Sequence, residues 1–431
     1  MGSTYQQPGT ILTDHRFSVP VDHDRPDGEH LELYGREIVA TERVGDRLPW
    51  LLFLQGGPGM AAPRPVGRDG WLDRALDEYR VLLLDQRGTG MSTPSNRQTL
   101  GGQGDPRAQA EYLSKFRADA IVRDAELIRR TLIGDEPWTV LGQSFGGFCS
   151  VAYLSTAPQG LTEVFITGGL PGIRASADDV YRALYPRVAA RNAAHYERYP
   201  DDVARAKRVA AHLREREVRL PAGGLLTVEA FQALGQMLGG TTASHALHGL
   251  LENAFVSGTE LSDNFLYEVQ YRLTFASAPL YAVLHEACYA QGSAATRWAA
   301  HRIRAEFPDF DAAAALDGDA PLLFTGEMIY PWMFETDPVL WPLRDAAHLL
   351  AEWDSWPNLY DEAVLGANQV PVTALVYHDD MYVDYGLSMR TAGAIRGLRY
   401  WVTNEYEHDG LRVSGRELLD RLISFRRQGR A

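Results

Sequence analysis

Residues 138–147 read Trp138-Thr139-Val140-Leu141-Gly142-Gln143-Ser144-Phe145-Gly146-Gly147. A short, unbroken apolar run stops at a glycine, and a serine follows two residues later. Continuous apolar runs of this length mark strands buried on both faces, hence a parallel sheet. The serine precedes a helix-like stretch, so G-x-S-x-G falls on a strand-to-helix turn. Such a turn holds a nucleophile in a strained conformation that only small flanking residues permit. The helix N-terminus behind it favours developing negative charge. The five-residue pattern alone is common, and an idle serine on a glycine turn is its bland alternative. The surrounding sequence decides between them.

The same texture recurs on both sides. Trp50 to Leu54 ends in Gly56-Gly57-Pro58-Gly59, and Tyr79 to Leu84 ends in Asp85-Gln86-Arg87-Gly88. Glu163 to Thr167 ends in Gly168-Gly169. Between the second and third runs, Ile121, Val122, Ala125, Ile128 and Leu132 fall on one helical face, as a crossover helix requires. Strand, helix, strand in this order is α/β. Ahead of them, Arg16 to Asp22 and Leu31 to Ala40 alternate about a turn-rich Asp22 to Gly28, which predicts an antiparallel hairpin.

From about Ser176 to Asn368 the pattern changes to amphipathic stretches such as Val203 to Val218 and Leu280 to Ala290. Aromatic residues crowd its end. Sheet texture resumes with Val370 to Tyr377, ending in Asp379-Asp380, and Arg399 to Thr403, ending in Glu407-His408-Asp409-Gly410. Gly415 to Arg427 closes as a helix. The expected organisation is one core, residues 1–172 and 368–431, interrupted by a helical cap, residues 173–367.

The chain has 431 residues with 42 basic and 56 acidic side chains, a formal charge of −14. An acidic balance repels nucleic acid, so partners of that class are not expected. The ordinary composition excludes a fibrous or disordered chain. Two cysteines, Cys149 and Cys288, make neither a disulfide framework nor a CxxC metal site. The polar stretch Met1 to His15 has no signal-peptide character, and no apolar run approaches membrane-spanning length. The expectation is a cytoplasmic chain with no membrane partner.

A serine nucleophile needs a base and an orienting acid, which on this kind of sheet follow it in the order acid, then histidine. Asp379 and Asp380 end one late strand and His408 follows the next. Both positions are carboxyl ends of predicted strands, where an open α/β sheet places its site. Asp379 and Asp380 are both candidates for the acid; the residues left after Asp380 before the chain turns away favour it. In the first glycine loop Pro58 cannot donate, so Gly57 or Gly56 could join the N–H of Phe145 in an oxyanion hole, with Gly57 preferred. No metal or cofactor motif appears: His285-Glu286 lacks the second histidine of H-E-x-x-H because position 289 is Tyr289.

Gly56-Gly57-Pro58-Gly59, Asp85-Gln86-Arg87-Gly88-Thr89-Gly90-Met91-Ser92 and Gly142-Gln143-Ser144-Phe145-Gly146-Gly147, in this order, resemble the prolyl aminopeptidases (proline iminopeptidases). The family usually has histidine where this chain has Gln55. The resemblance covers roughly 1–170 and 366–431. It implies an α/β-hydrolase fold with a mostly parallel central sheet and an inserted helical cap. It also implies metal-free release of an N-terminal residue, typically proline, from a peptide or small aminoacyl substrate. Such an enzyme must hold a free ammonium, and in the family acidic cap residues do so. Glu286 and Glu327 are the candidates here, with Tyr330, Trp332 and Phe145 as lining residues. Cap salt bridges and cap core are the bland readings of the same residues. An esterase or amidase with the same machinery, and a non-catalytic binding protein of this fold, stand as alternatives. The oligomeric state is not legible.

Overall fold

The structure, a computed structural model, describes residues 2–292 and 294–427. Among the described residues there are eleven strands: β1 (Thr4–Gln7), β2 (Thr10–Pro20), β3 (His30–Ala40), β4 (Trp50–Leu54), β5 (Arg80–Leu84), β6 (Trp138–Gln143), β7 (Leu161–Thr167), β8 (Phe255–Val256), β9 (Glu260–Leu261), β10 (Val372–Tyr377) and β11 (Leu398–Thr403). Nine form one sheet in the order β1-β2-β3-β5-β4-β6-β7-β10-β11, and β8 and β9 form a separate ribbon. The pairs β1·β2, β2·β3 and β3·β5 are antiparallel. From β5 to β11 every pair is parallel.

The apolar runs become central strands because both of their faces are covered. Alternate residues of β4 divide between two apolar clusters, Leu52 and Leu54 in one, Leu51 and Phe53 in the other. In β5, Leu82 and Leu84 lie on the first face, Val81 and Leu83 on the second. Helices Gly70–Leu76 and Gly415–Arg427 cover the second face, contributing Leu72, Leu76, Leu418 and Leu422. The crossover helix is present at Ala118–Ile133 and, with Phe145–Thr156, covers the first. Each such leucine stabilises the fold by about 2 kcal/mol.

The hairpin forms, but its strands are longer than the alternation suggested, beginning at Thr10. β1 carries no apolar pattern, being a short polar edge strand. Val370 and Pro371 fall outside β10, whose ladder starts at Val372. The stretch Leu280 to Ala290 is not one helix; helix Pro279–Leu284 gives way to a 3-10 turn, Glu286–Tyr289.

Among the described residues between β7 and β10, the regular elements are helices apart from β8, β9 and two isolated bridges. This region shares the first-face cluster: Tyr181, Leu184, Phe231 and Tyr330 belong to it together with Leu52, Val140 and Ile166. Arg87 is buried beneath the strand ends. It makes a two-pronged bond to Asp124 (2.6 and 2.7 Å) and donates to the carbonyls of Pro20, Val21 and Lys115. Asp85 accepts from the backbone N–H of Ala62 and Met91, tying two loops together. Cys149 and Cys288 are buried and unbridged.

Candidate active site

Strand β6 ends at Gln143 and helix Phe145–Thr156 starts one residue after Ser144. Ser144 itself has φ 54° and ψ −122°, a conformation that costs a non-glycine residue about 1–3 kcal/mol. The neighbours impose it. Ser144 N–H donates to Thr167 O (2.9 Å), and Ser144 O accepts from Gly147 N–H (2.7 Å). The flanking glycines are required by space: a Cβ on Gly142 would lie 2.3 Å from Gly146 O, and one on Gly146 would lie 1.9 Å from Leu54 O.

The loops after β10 and β11 bring two further groups to the serine. His408 Nε2 lies 2.8 Å from Ser144 Oγ, and His408 Nδ1 lies 2.6 Å from Asp380 Oδ2. The other oxygen of Asp380 accepts from the N–H groups of Tyr382 (2.8 Å) and Val383 (3.1 Å). An ionised carboxylate only accepts, so Nδ1 carries the proton and Nε2 is free to take one from the serine. All three residues are buried. Burial works against the imidazolium of His408, but Asp380 beside it, then Glu327 and Asp409, outweigh this and raise its pKa. Asp379 is exposed and bonds to His378 instead (2.8 Å). The geometry therefore joins Asp380, and not Asp379, to His408.

The N–H of Phe145 opens its helix, where amides have no intrahelical acceptor. Gly57, with φ 130°, lines the cavity over Ser144. Its loop sits against the nucleophile turn, since a Cβ on Gly56 would lie 3.0 Å from Ser144 Cβ. Gln86 Nε2 holds the loop through Gln55 O (3.0 Å). Ser144 and Gly57 thus line one space, and the N–H of Phe145 follows directly after the serine.

That space is a cavity of about 640 Å³, walled by the strand-end loops on one side and the helical region on the other. Glu327 lines it, half-buried, with Tyr281 O–H donating to its Oε1 (2.5 Å) and Gln236 Nε2 donating to Tyr281 (2.9 Å). Burial pushes the Glu327 carboxyl up to about 7, with His408 pulling the other way.

The other expected lining residues are elsewhere. Both oxygens of Glu286 are taken by the N–H groups of Ala299 (2.9 Å) and Ala300 (2.8 Å), so it caps helix Ala299–Arg304 and does not reach the cavity. Burial raises its pKa to about 7, opposed by those N–H groups. Tyr330 is fully buried, its hydroxyl 3.0 Å from that of Tyr185. Trp332 lines a separate apolar cavity of about 80 Å³ beside Leu273 and Phe275. The Phe145 ring packs toward Phe148 (6.2 Å), away from the cavity wall. Tyr281, Gln236 and Tyr382 line the cavity and were missed. Nothing in the sequence marks Tyr281: it is brought there where Gly59 comes so close to Leu280 that a Cβ would lie 2.6 Å from its backbone. Only the fold shows this contact.

A model of the alpha/beta hydrolase fold matches residues 49–254. Over 424 residues the chain is 52% identical to a proline iminopeptidase of Aeromonas sobria, covering 98% of each chain. It is 38% identical over 445 residues to a proline iminopeptidase of Aspergillus aculeatus, covering 98% of this chain and 95% of that one. A shorter match, 34% over 135 residues, links 31% of the chain to a probable proline iminopeptidase of Streptomyces coelicolor, 36% of which is covered. The two long alignments take in the loops of Ser144, Asp380 and His408 and the helical region between them. The chain belongs to the proline iminopeptidase family of α/β-hydrolase-fold proteins.

Proposed function

We propose that this chain is a serine aminopeptidase that releases N-terminal proline from peptides and aminoacyl amides. Ser144 Oγ attacks the carbonyl of the first residue while His408 Nε2 takes its proton. Asp380 keeps the ring oriented and favours the imidazolium. The oxyanion is met by the N–H groups of Phe145 and Gly57. His408 then gives its proton to the departing amine nitrogen, leaving an ester on Ser144. A water molecule, deprotonated by His408, hydrolyses that ester and restores the serine.

The observation that carries the reading is Glu327, a carboxylate that the helical region places on the wall of the cavity that contains Ser144, hydrogen-bonded there by Tyr281. Glu327, oriented by Tyr281, pairs with the substrate's ammonium and so measures one residue from the free end to the scissile bond. Residues 173–367 act as the substrate-selecting cap, and 1–172 with 368–431 as the catalytic core. A cytoplasmic setting suits the two unbridged cysteines.

Hydrolysis of proline 2-naphthylamide tests the reading. Ser144→Ala is expected to abolish it. Turnover unchanged by Ser144→Ala, or activity on p-nitrophenyl esters with none on N-terminal proline, would refute the proposal.

A further inference from the structure

Next to the cavity, in the helical region, lies the turn Gln236–Thr241. It touches both loops that carry the serine's partners. Tyr382, two residues past Asp380, donates its hydroxyl to Gln236 O. His408 donates its own backbone N–H to Gly239 O (3.1 Å). The next residue, Asp409, accepts from Thr241 N–H through both oxygens (3.1 Å each) and from Thr241 Oγ1 (2.6 Å). The approach leaves no room for a side chain at Gly239, where a Cβ would lie 2.2 Å from Tyr382 Cζ. The Tyr382 ring in turn stands edge-on to His408, with centroids 4.9 Å apart. Beyond Thr241 the chain enters helix Ala243–Glu252. Ser244 there bonds to His195 Nδ1 (2.9 Å), and His248 lies 3.0 Å from the buried Asp202. The turn is therefore held firmly from behind.

We propose that this turn, fastened by the clasp between Thr241 and Asp409, positions His408, so that Thr241 and Asp409 are positioning residues of the reaction. His408 sits on a loop whose preceding residues, Asn404 and Glu405, are exposed. Its ring has two bonds, to Asp380 and Ser144, but neither fixes where the backbone of the loop lies. The Gly239 carbonyl and the clasp do on the cavity side, while Arg191 pairs with Glu407 on the other side of His408. Among the described residues the Asp409 side chain, 9% exposed at the cavity edge, has Thr241 as its hydrogen-bond partner, and Arg412, 3.6 Å away, is largely solvated. Loss of the clasp lets the loop swing, and a displacement of the order of 1 Å at Nε2 lowers the rate by up to about a hundredfold. The inference uses the proposed function only in taking His408 as the base.

Thr241 is exposed, so its variants keep the fold. Thr241→Val removes the hydroxyl and keeps the shape and the backbone N–H; Thr241→Ser keeps the hydroxyl; Asp409→Ala removes the whole acceptor. Each is measured for kcat and KM on proline 2-naphthylamide, for the rate at which a fluorophosphonate labels Ser144, and for its urea midpoint. Thr241→Val and Asp409→Ala are expected to lower kcat and the labelling rate about tenfold or more, with KM within about twofold. Thr241→Ser restores most of the rate, and the midpoint of Thr241→Val stays where it was. Unchanged kcat and labelling in Thr241→Val and Asp409→Ala would overturn the proposal. So would a Thr241→Ser variant as slow as Thr241→Val, or a loss confined to KM. If the unaltered chain hydrolyses no proline substrate, the proposed function fails, while the labelling rates still decide the clasp.

Discussion

Asp380 and Asp379 are adjacent carboxylates with opposite surroundings. Asp380 is buried, holds two backbone N–H groups and faces His408 at 2.6 Å; Asp379 is exposed beside His378. Asp380→Asn should therefore lower kcat about 10³–10⁴-fold by spoiling the tautomer of His408. Asp379→Asn should leave kcat within about twofold. Steady-state kinetics on proline 2-naphthylamide separate the two, and equal losses would remove Asp380 from its role. Glu327 makes a prediction about stability as well as binding. Burial keeps its proton in the folded chain up to about 7, against an ordinary value of 4.5. A raised folded pKa means a contribution fully present below about 4.5 and lost as pH rises through about 7. Glu327→Gln is neutral throughout, so it should match the parent near pH 4.5 and exceed it at pH 8 by on the order of 2 kcal/mol. Urea unfolding across that pH range checks this; a difference that does not vary with pH would contradict it. The same variant should raise KM for free-amine substrates and spare acyl esters.

At the scale of elements, the nucleophile turn depends on β4 and helix Phe145–Thr156 meeting at glycine. Gly146→Ala would drive a methyl into Leu54 O, 1.9 Å from where it would be built. The helix would have to lift from the sheet, at a cost of more than about 3 kcal/mol in urea unfolding. A near-neutral result would mean that the turn is looser than described. This turn was legible because its chemistry and its packing call for the same residues. The runs that became β4, β5, β6 and β7 were legible because burial on both faces leaves an unbroken apolar signature. β1 was not, since a polar edge strand has no such signature and takes its partner from β2. Ser144, Asp380 and His408 could be read because the sheet fixes their order and their place at strand ends. The helical region has no comparable rule. There Glu286 and Glu327 both sit among apolar residues, and only the fold shows that Glu286 is consumed by Ala299 and Ala300 while Glu327 faces the cavity. Tyr330 and Trp332 were misread for the same reason: composition identifies aromatic density but not the direction in which it points.

Across the whole molecule, the helical region is not an independently stabilised unit. Its apolar residues belong to the same continuous cluster as the first face of the sheet. Arg117, buried just before helix Ala118–Ile133, donates to the carbonyls of Ala290 (2.8 Å) and Pro357 (3.4 Å), joining the two parts from the core side. A shared core predicts one cooperative unfolding transition by calorimetry; two resolved transitions would show that the parts are stabilised separately. The shared core also brings Glu327 from one part of the chain, and Ser144 and His408 from the other, into one cavity. The central claim is that this cavity reads a free proline amine and cleaves one residue beyond it. Comparing kcat/KM for proline 2-naphthylamide and for its N-acetylated form tests that claim most directly. Acetylation removes the cation that Glu327 is proposed to hold and lengthens the end that must fit. The account predicts a loss of about a hundredfold or more on acetylation, and equal rates on the two substrates would contradict it.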